Sequence, residues 1–433
     1  MSLNIKSNFL VMKKFLTILF LIFFETFVFS GIDIYIQAVK TGKRINIGIS
    51  RFIGKDFHSI KVSSEIQQVV KEDIMFTRLF NVVEPGWQYL PNKIVSEKWQ
   101  KYGIDIVVCG EVKYENNVYV LAGRMYDVLT TEKIYEREFK SSDLRYLAHL
   151  FSDHIVCAFT GEYGIATTRI VFVNDMTGHK EIYIVDYDGY NLQQLTNDRS
   201  INIYPRVSPD GQKIIYTTYK DRNPDLYIMD INGKNKSPVS IFQGLNVTAN
   251  WSPDGENLVI TLTKAKHSPN MYILNLKTKD LRRITYGNTI DVAGYFSPNG
   301  REIVFISNRI GVPQIYISSV DGSSIRRLPT ERYSSSPVWS PKGDKIVFCM
   351  QGSNGLFDIY LYDIPKNEYY RLTQDSGSNE NPYFSPDGRF IVFSSNRSGR
   401  WQLYTMFLDG SNQRRLADIK GNSFFPCWTP RRL

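Results

Sequence analysis

Histidine and cysteine are the scarce residues of this chain, five and four of them in 433. That supply limits the chemistry it can carry. Cys109, Cys157, Cys349 and Cys427 form no Cys-x-x-Cys pair, so neither a zinc knuckle nor a redox dithiol is indicated. They read as small buried residues, with Cys109–Cys157 the one pairing worth checking for a disulfide. Basic residues outnumber acidic ones 52 to 43, yet no run of Lys or Arg exceeds two, so the charge is dispersed and leaves no nucleic-acid footprint. A Gly-x-Ser-x-Gly nucleophile turn is missing, as is a glycine-rich phosphate loop. His149 and Asp153 stand four apart, on one face of a helix, a spacing that suits a metal or a general base. Without a third ligand or a nucleophile nearby, they read better as the polar side of an amphipathic helix.

What the chain does have is repetition. Ser-Pro-Asp-Gly occurs at 208, 252 and 385, as Ser-Pro-Asn-Gly at 297 and Ser-Pro-Lys-Gly at 340, with a worn Thr-Pro at 429. The steps are 44, 45, 43, 45 and 44 residues, a period that marks a repeat architecture. Pro presets the backbone of a turn, Asp bonds its own backbone and Gly accepts positive φ, so each phrase is a hairpin turn. Short runs rich in Ile, Val, Phe and Tyr flank it, and a second turn ending in Asp-Gly or Asn-Gly recurs near 188, 232, 321 and 409. Each repeat therefore reads as four strands, too small to bury both faces alone. Arranged radially, such repeats make a β-propeller. The first block, 169–196, has no first strand, and the last, 423–430, has only that strand. Together they predict six blades, the sixth composite and closed by the C-terminal strand, with no free edge.

Ahead of the repeats lie two other regions. Residues 1–30 carry Lys13-Lys14, an apolar run from Phe15 and small residues at Ser30-Gly31, the pattern of a secretory signal. Met12 is a second possible start; Glu25 interrupts the apolar run and argues against an uncleaved anchor. Residues 44–160 mix helix and strand: a helix around 62–80 with Ser63 or Ser64 as its cap, strands at 103–112 and 117–128, and a helix closed by Gly161. The fold class is α+β in two domains. The leader spans 1–30, a free segment 31–43, an α/β domain 44–160, and a six-bladed propeller 161–433.

The stretch 144–173, LRYLAHLFSDHIVCAFTGEYGIATTRIVFV, resembles the domain junction of the TolB family of the Tol-Pal system. The blade phrases, the Trp-Thr-Pro ending and the start at Gly31 are similar as well. The resemblance covers everything after residue 30 and implies a periplasmic, non-enzymatic, monomeric scaffold of the Gram-negative envelope. It would need no cofactor and would keep the outer membrane attached and constricting at division. It implies that the lipoprotein Pal binds the propeller, that TolA binds the mature N-terminal segment, and that other outer-membrane lipoproteins are possible partners. Ile32, Ile34 and Ile36 alternate with Asp33 and Tyr35, ahead of Val39, as a strand able to pair with a partner's sheet edge. These six residues are the expected TolA contact. Propeller topology puts the loops entering each first strand on the end opposite the Ser-Pro turns. The expected Pal contacts there are Arg199, Leu245, Asn246, Thr248, Asp291, Val292, Arg332, Tyr333, Asn379, Glu380 and Phe424. Pro205, Pro337, Pro382 and Pro426 are expected just ahead of four first strands; Ala249 and Gly294 take that place in the other two.

Overall fold

A computed structural model of the chain describes residues 42, 44–86, 96–264 and 268–432. The leader and the alternating stretch from Ile32 to Val39 lie outside the described residues. The chain divides into two compact units after Glu162. Among the described residues no helix is long and apolar enough to cross a membrane.

The first unit is a mixed sheet carrying helices. Strands β1 (Ile45–Ile49), β2 (Ile53–Gly54), β3 (Phe80–Val83), β4 (Ile106–Glu115), β5 (Val118–Asp127) and β6 (Lys133–Ser141) lie in the order β3-β1-β4-β5-β6, with β2 also on β4. Pairing of β1 with β3 and β4 is parallel, while β4-β5-β6 is an antiparallel meander. Asn116 and Asn117 turn β4 into β5 with φ of 51° and 63°, the left-handed pair that a two-residue hairpin needs. Helices α1 (Phe57–Thr77), α2 (Ser96–Gln100) and α3 (Leu144–Thr160) complete the unit. Alternation along β4 decides the packing. Ile106 and Val108 join Ile66, Val70, Phe151 and Ile155 of α1 and α3, while Val107 and Cys109 face Trp99 and Tyr126 on the other side.

Helix α1 starts six residues before the expected cap. Asp56 is the N-cap, accepting from the His58 and Ser59 amides, while Ser59 returns a bond to the Asp56 amide. Ser63 is buried inside the helix instead. The apolar periodicity begins later than the helix because the first turn, with Phe57 and Ile60, is exposed. Gly161, at φ 76°, ends α3 as expected.

The second unit is a ring of six four-stranded sheets. First strands run Asn202–Val207, Asn246–Trp251, Asp291–Phe296, Ser334–Trp339, Asn379–Phe384 and Ser423–Trp428. The last of these pairs with Arg169–Asn174, so the closing blade is composite. Around that seam Thr429 donates its amide to the Arg169 carbonyl at 2.8 Å, the Trp428 indole donates to Thr168 Oγ1 at 2.7 Å, and Arg432 Nε donates to the Thr167 carbonyl at 3.0 Å. Burial beside Arg432 pulls Arg169 down to about 10.

Two details depart from the sequence reading. The prolines of the first strands sit inside them, not ahead. In all six blades the ladder skips at that place, and the residue there has φ between 51° and 56°: Tyr204, Thr248, Ala293, Ser336, Phe425 and Asn381. A bulge frees two residues from pairing, so a proline without an N–H is tolerated in an inner strand. The fourth strands are also shorter than the runs NQRRLA (412–417) and LQQLT (192–196) predict. Arg414–Arg415 and Gln193–Gln194 are two residues each, exposed and polar, as suits an outer edge.

Candidate functional site

In a four-stranded meander, turns one-to-two and three-to-four share one end, and the other connections share the opposite end. The Ser-Pro turns close the first end. Ser208 Oγ donates to Asp210 and accepts from the Lys213 amide at 2.9 Å, while Asp210 accepts from the Gln212 amide at 3.0 Å. The Ser208 hydrogen bond is the main reason the Asp210 carboxyl lies below its ordinary value, and Ser252 does the same for Asp254. Five of these prolines, Pro209, Pro253, Pro298, Pro341 and Pro430, also reach the next blade: Pro209 lies 3.8 Å from where a Cβ on Gly255 would sit, and Pro253 3.7 Å from that of Gly300. The motif is thus both a turn and a ring of blade-to-blade contacts.

The other end is the candidate site. Its surface carries exposed Ile201, Ile241, Phe242, Tyr286, Ile290, Ile310, Val312, Tyr333 and Leu356, all in loops of that end. Among the described residues, the opposite end exposes fewer large apolar side chains: Tyr190 and Leu192 in a turn, Ile325 at the start of a fourth strand, and Tyr163 ahead of the closing blade. Exposed apolar side chains gathered on one end are the pattern by which a candidate site is chosen. Tyr333 packs edge-on to Phe357 with ring centroids 5.5 Å apart. Beside it, Arg332, Tyr360, Tyr369, Arg371 and Asp375 line a groove of about 410 Å³. Toward the ring axis, the Tyr204 and Phe425 rings lie 4.4 Å apart, Phe424 lies 5.7 Å from Trp401, and Lys180 Nζ sits 5.2 Å over Phe424. Burial, with Tyr219 and Tyr333 nearby, pushes the Tyr204 phenol up.

The sequence-predicted residues divide into two groups. Arg199, Arg332 and Tyr333 are exposed, and Leu245, Thr248, Val292, Glu380 and Phe424 are half-buried, with burial raising the Glu380 carboxyl. Asn246, Asp291 and Asn379 are 0 % exposed, because the first strands begin at these residues and not after them. They brace the rim. Asn246 Oδ1 accepts from Ser240 Oγ at 2.7 Å and from the Phe242 amide at 3.0 Å. Arg309 pairs with Asp291 at 3.1 Å. Asn379 donates to Asp358 of the preceding blade at 3.1 Å and accepts from Arg397 at 2.7 Å. A partner would meet the loops these residues hold, not the residues themselves. The sequence reading had Phe424 of the aromatic group but missed Tyr204, Phe425 and Trp401. The adjacent Phe424-Phe425 pair was the available signal, since a second aromatic there is more than one alternating strand face can bury.

Elsewhere, His149 is fully buried and shares a 2.8 Å bond from Nδ1 to Asp73 Oδ2, tying α3 to α1. No disulfide joins the four cysteines; Cys109, Cys349 and Cys427 are buried, and burial pushes Cys109 up to about 12. The channel is crossed by four side chains. Arg206 Nε donates to Asn250 Oδ1 at 3.1 Å, Asn250 donates to the Gly294 carbonyl at 2.7 Å, and the Tyr295 and Tyr383 hydroxyls lie 3.1 Å apart.

The fold and rim define a class: a β-propeller preceded by a small α/β domain, with apolar loops gathered at one end of the ring. Sequence comparison narrows it. The profile of the TolB beta propeller domain matches residues 157–432, and that of the TolB amino-terminal domain matches 32–134. The chain belongs to the TolB family. It is 41 % identical over 377 residues to the Tol-Pal system protein TolB of Geobacter sulfurreducens, covering 86 % of this chain and 87 % of that one. A TolB homolog of Chlorobium chlorochromatii is 33 % identical over 164 residues, 36 % of this chain and 37 % of that protein. The crystal structure of TolB from Acinetobacter baumannii superposes with a TM-score of 0.77 at 26 % identity, covering 90 % of this chain and 97 % of that one. Hydrazine synthase of Kuenenia stuttgartiensis, at 16 % identity and a TM-score of 0.51, shares the fold alone over 61 % of this chain and 47 % of that one. Membership places the chain in the Tol-Pal system, among protein partners.

Proposed function

We propose that the chain is a non-enzymatic periplasmic scaffold that binds the lipoprotein Pal through the propeller rim and TolA through residues 31–43. In that role it maintains outer-membrane integrity and constriction during division, without a cofactor. The observation that carries the rim assignment is the one-sided display of apolar loops around a half-buried aromatic cluster. Rings that are half buried supply contact area at little entropic cost, and Arg199, Arg332 and Glu380 supply a polar surround. The secretory pattern of residues 1–30 supports the periplasmic location. Ile32, Asp33, Ile34, Tyr35, Ile36 and Val39 remain the proposed TolA strand on their alternation. Immobilising the mature chain and capturing proteins from a detergent extract of its own envelope tests both assignments. Pal and TolA should dominate the captured material by mass spectrometry; absence of both would refute the reading.

A further inference from the structure

On the Ser-Pro end the channel opens into a cavity of about 320 Å³ walled by all six blades. Its wall is apolar, built of the turn prolines and of Trp251, Trp339 and Trp428. Among the described residues no Asp, Glu or His lines it, and Arg206 is its single charged side chain. The arginine pairs with no carboxylate. Its bonds go to neutral acceptors, Asn250 Oδ1 and the Pro205 carbonyl, and its guanidinium stacks 5.4 Å from the centre of the Tyr383 ring. Of its five N–H groups, two are used, so three remain. The serine hydroxyls of the turns are spent within their own turns, as Ser208 and Ser252 show. Tyr295 and Tyr383 share one hydrogen bond, and Tyr383 also bonds the Cys427 sulfur, so the arginine is the donor left to a ligand.

Arg206 is half-buried, and an anion beside it gains charge-assisted hydrogen bonds from its unused N–H groups. We infer that this cavity is a binding site for a small monocarboxylate with an apolar or aromatic body. Its carboxylate meets the Arg206 fork, and its body lies against the proline and indole walls. One guanidinium matches one planar carboxylate, and the lining supplies no second cation for a doubly charged phosphate. The site lies at the end opposite the proposed rim and stands independently of what the rim binds.

Isothermal titration of the mature chain with benzoate and with its neutral isostere benzamide tests this. Benzoate should bind about 10-fold tighter than benzamide, and Arg206→Gln should abolish the difference. Arg206→Lys, which keeps the charge without the fork, should weaken benzoate. Benzoate binding no tighter than benzamide in the wild type would overturn the site. So would unchanged benzoate affinity in Arg206→Gln or, if that variant fails to fold, in Arg206→Lys.

Discussion

Gly322 shows how much a single turn residue can decide. It adopts φ 79°, and a Cβ there would lie 2.4 Å from the Ile284 carbonyl oxygen of the preceding blade. Gly355 has a similar φ of 78° but nothing within 4 Å. Gly355→Ala should therefore cost only the left-handed strain, about 1 kcal/mol. Gly322→Ala adds the blade-to-blade clash, for a total of about 2–4 kcal/mol, readable as a lower urea midpoint. Equal midpoints would mean the blades are not held this close. The aspartates of the Ser-Pro turns give a pH signature. Asp210 and Asp254 titrate below the ordinary 3.8 when folded, chiefly through their serine hydrogen bonds. A lowered carboxyl contributes stability above the unfolded value and loses it as pH falls through the folded one. The melting-temperature gap between wild type and Asp254→Asn should thus be constant from pH 7 to about 5 and shrink below 3.8. A gap that instead widens on acidification would reverse the assigned sign.

At the scale of elements, the closing strand matters most. Ser423–Trp428 supplies the first strand of a blade whose other strands come from residues 169–194, and Cys427 and Trp428 are buried there. Removing 424–433 exposes that core and opens the ring, so the melting temperature should drop by about 10 °C or more. An unchanged melting curve would contradict closure. This seam was legible beforehand because the repeat count fails at both ends by complementary amounts. Hairpin turns were legible too, since Pro, Asp and Gly act locally. The bulge was not. A proline in an inner strand looks like a strand breaker until the position before it is known to turn left-handed in every blade. Nor was the burial of Asn246, Asp291 and Asn379 legible. A polar residue at a loop end reads as surface, and only the neighbouring blade's Asp358, or an arginine such as Arg309, shows it to be a brace.

For the whole molecule, the two proposed contacts are separable. Deleting 31–43 should abolish TolA capture while leaving propeller melting and Pal binding intact. TolA retained at full affinity would remove that segment from the interface. The rim itself is tested most directly by calorimetric titration of the Pal periplasmic domain into three proteins. One is the wild type, one carries Arg332→Glu with Tyr333→Ala on the rim, and one carries Tyr190→Ala with Glu256→Lys among the turns of the opposite end. If the apolar end is the docking face, the rim variant binds Pal about 10-fold or more weakly and the turn variant stays within about 2-fold of wild type. Equal losses from both variants, or full affinity in the rim variant, would place Pal elsewhere.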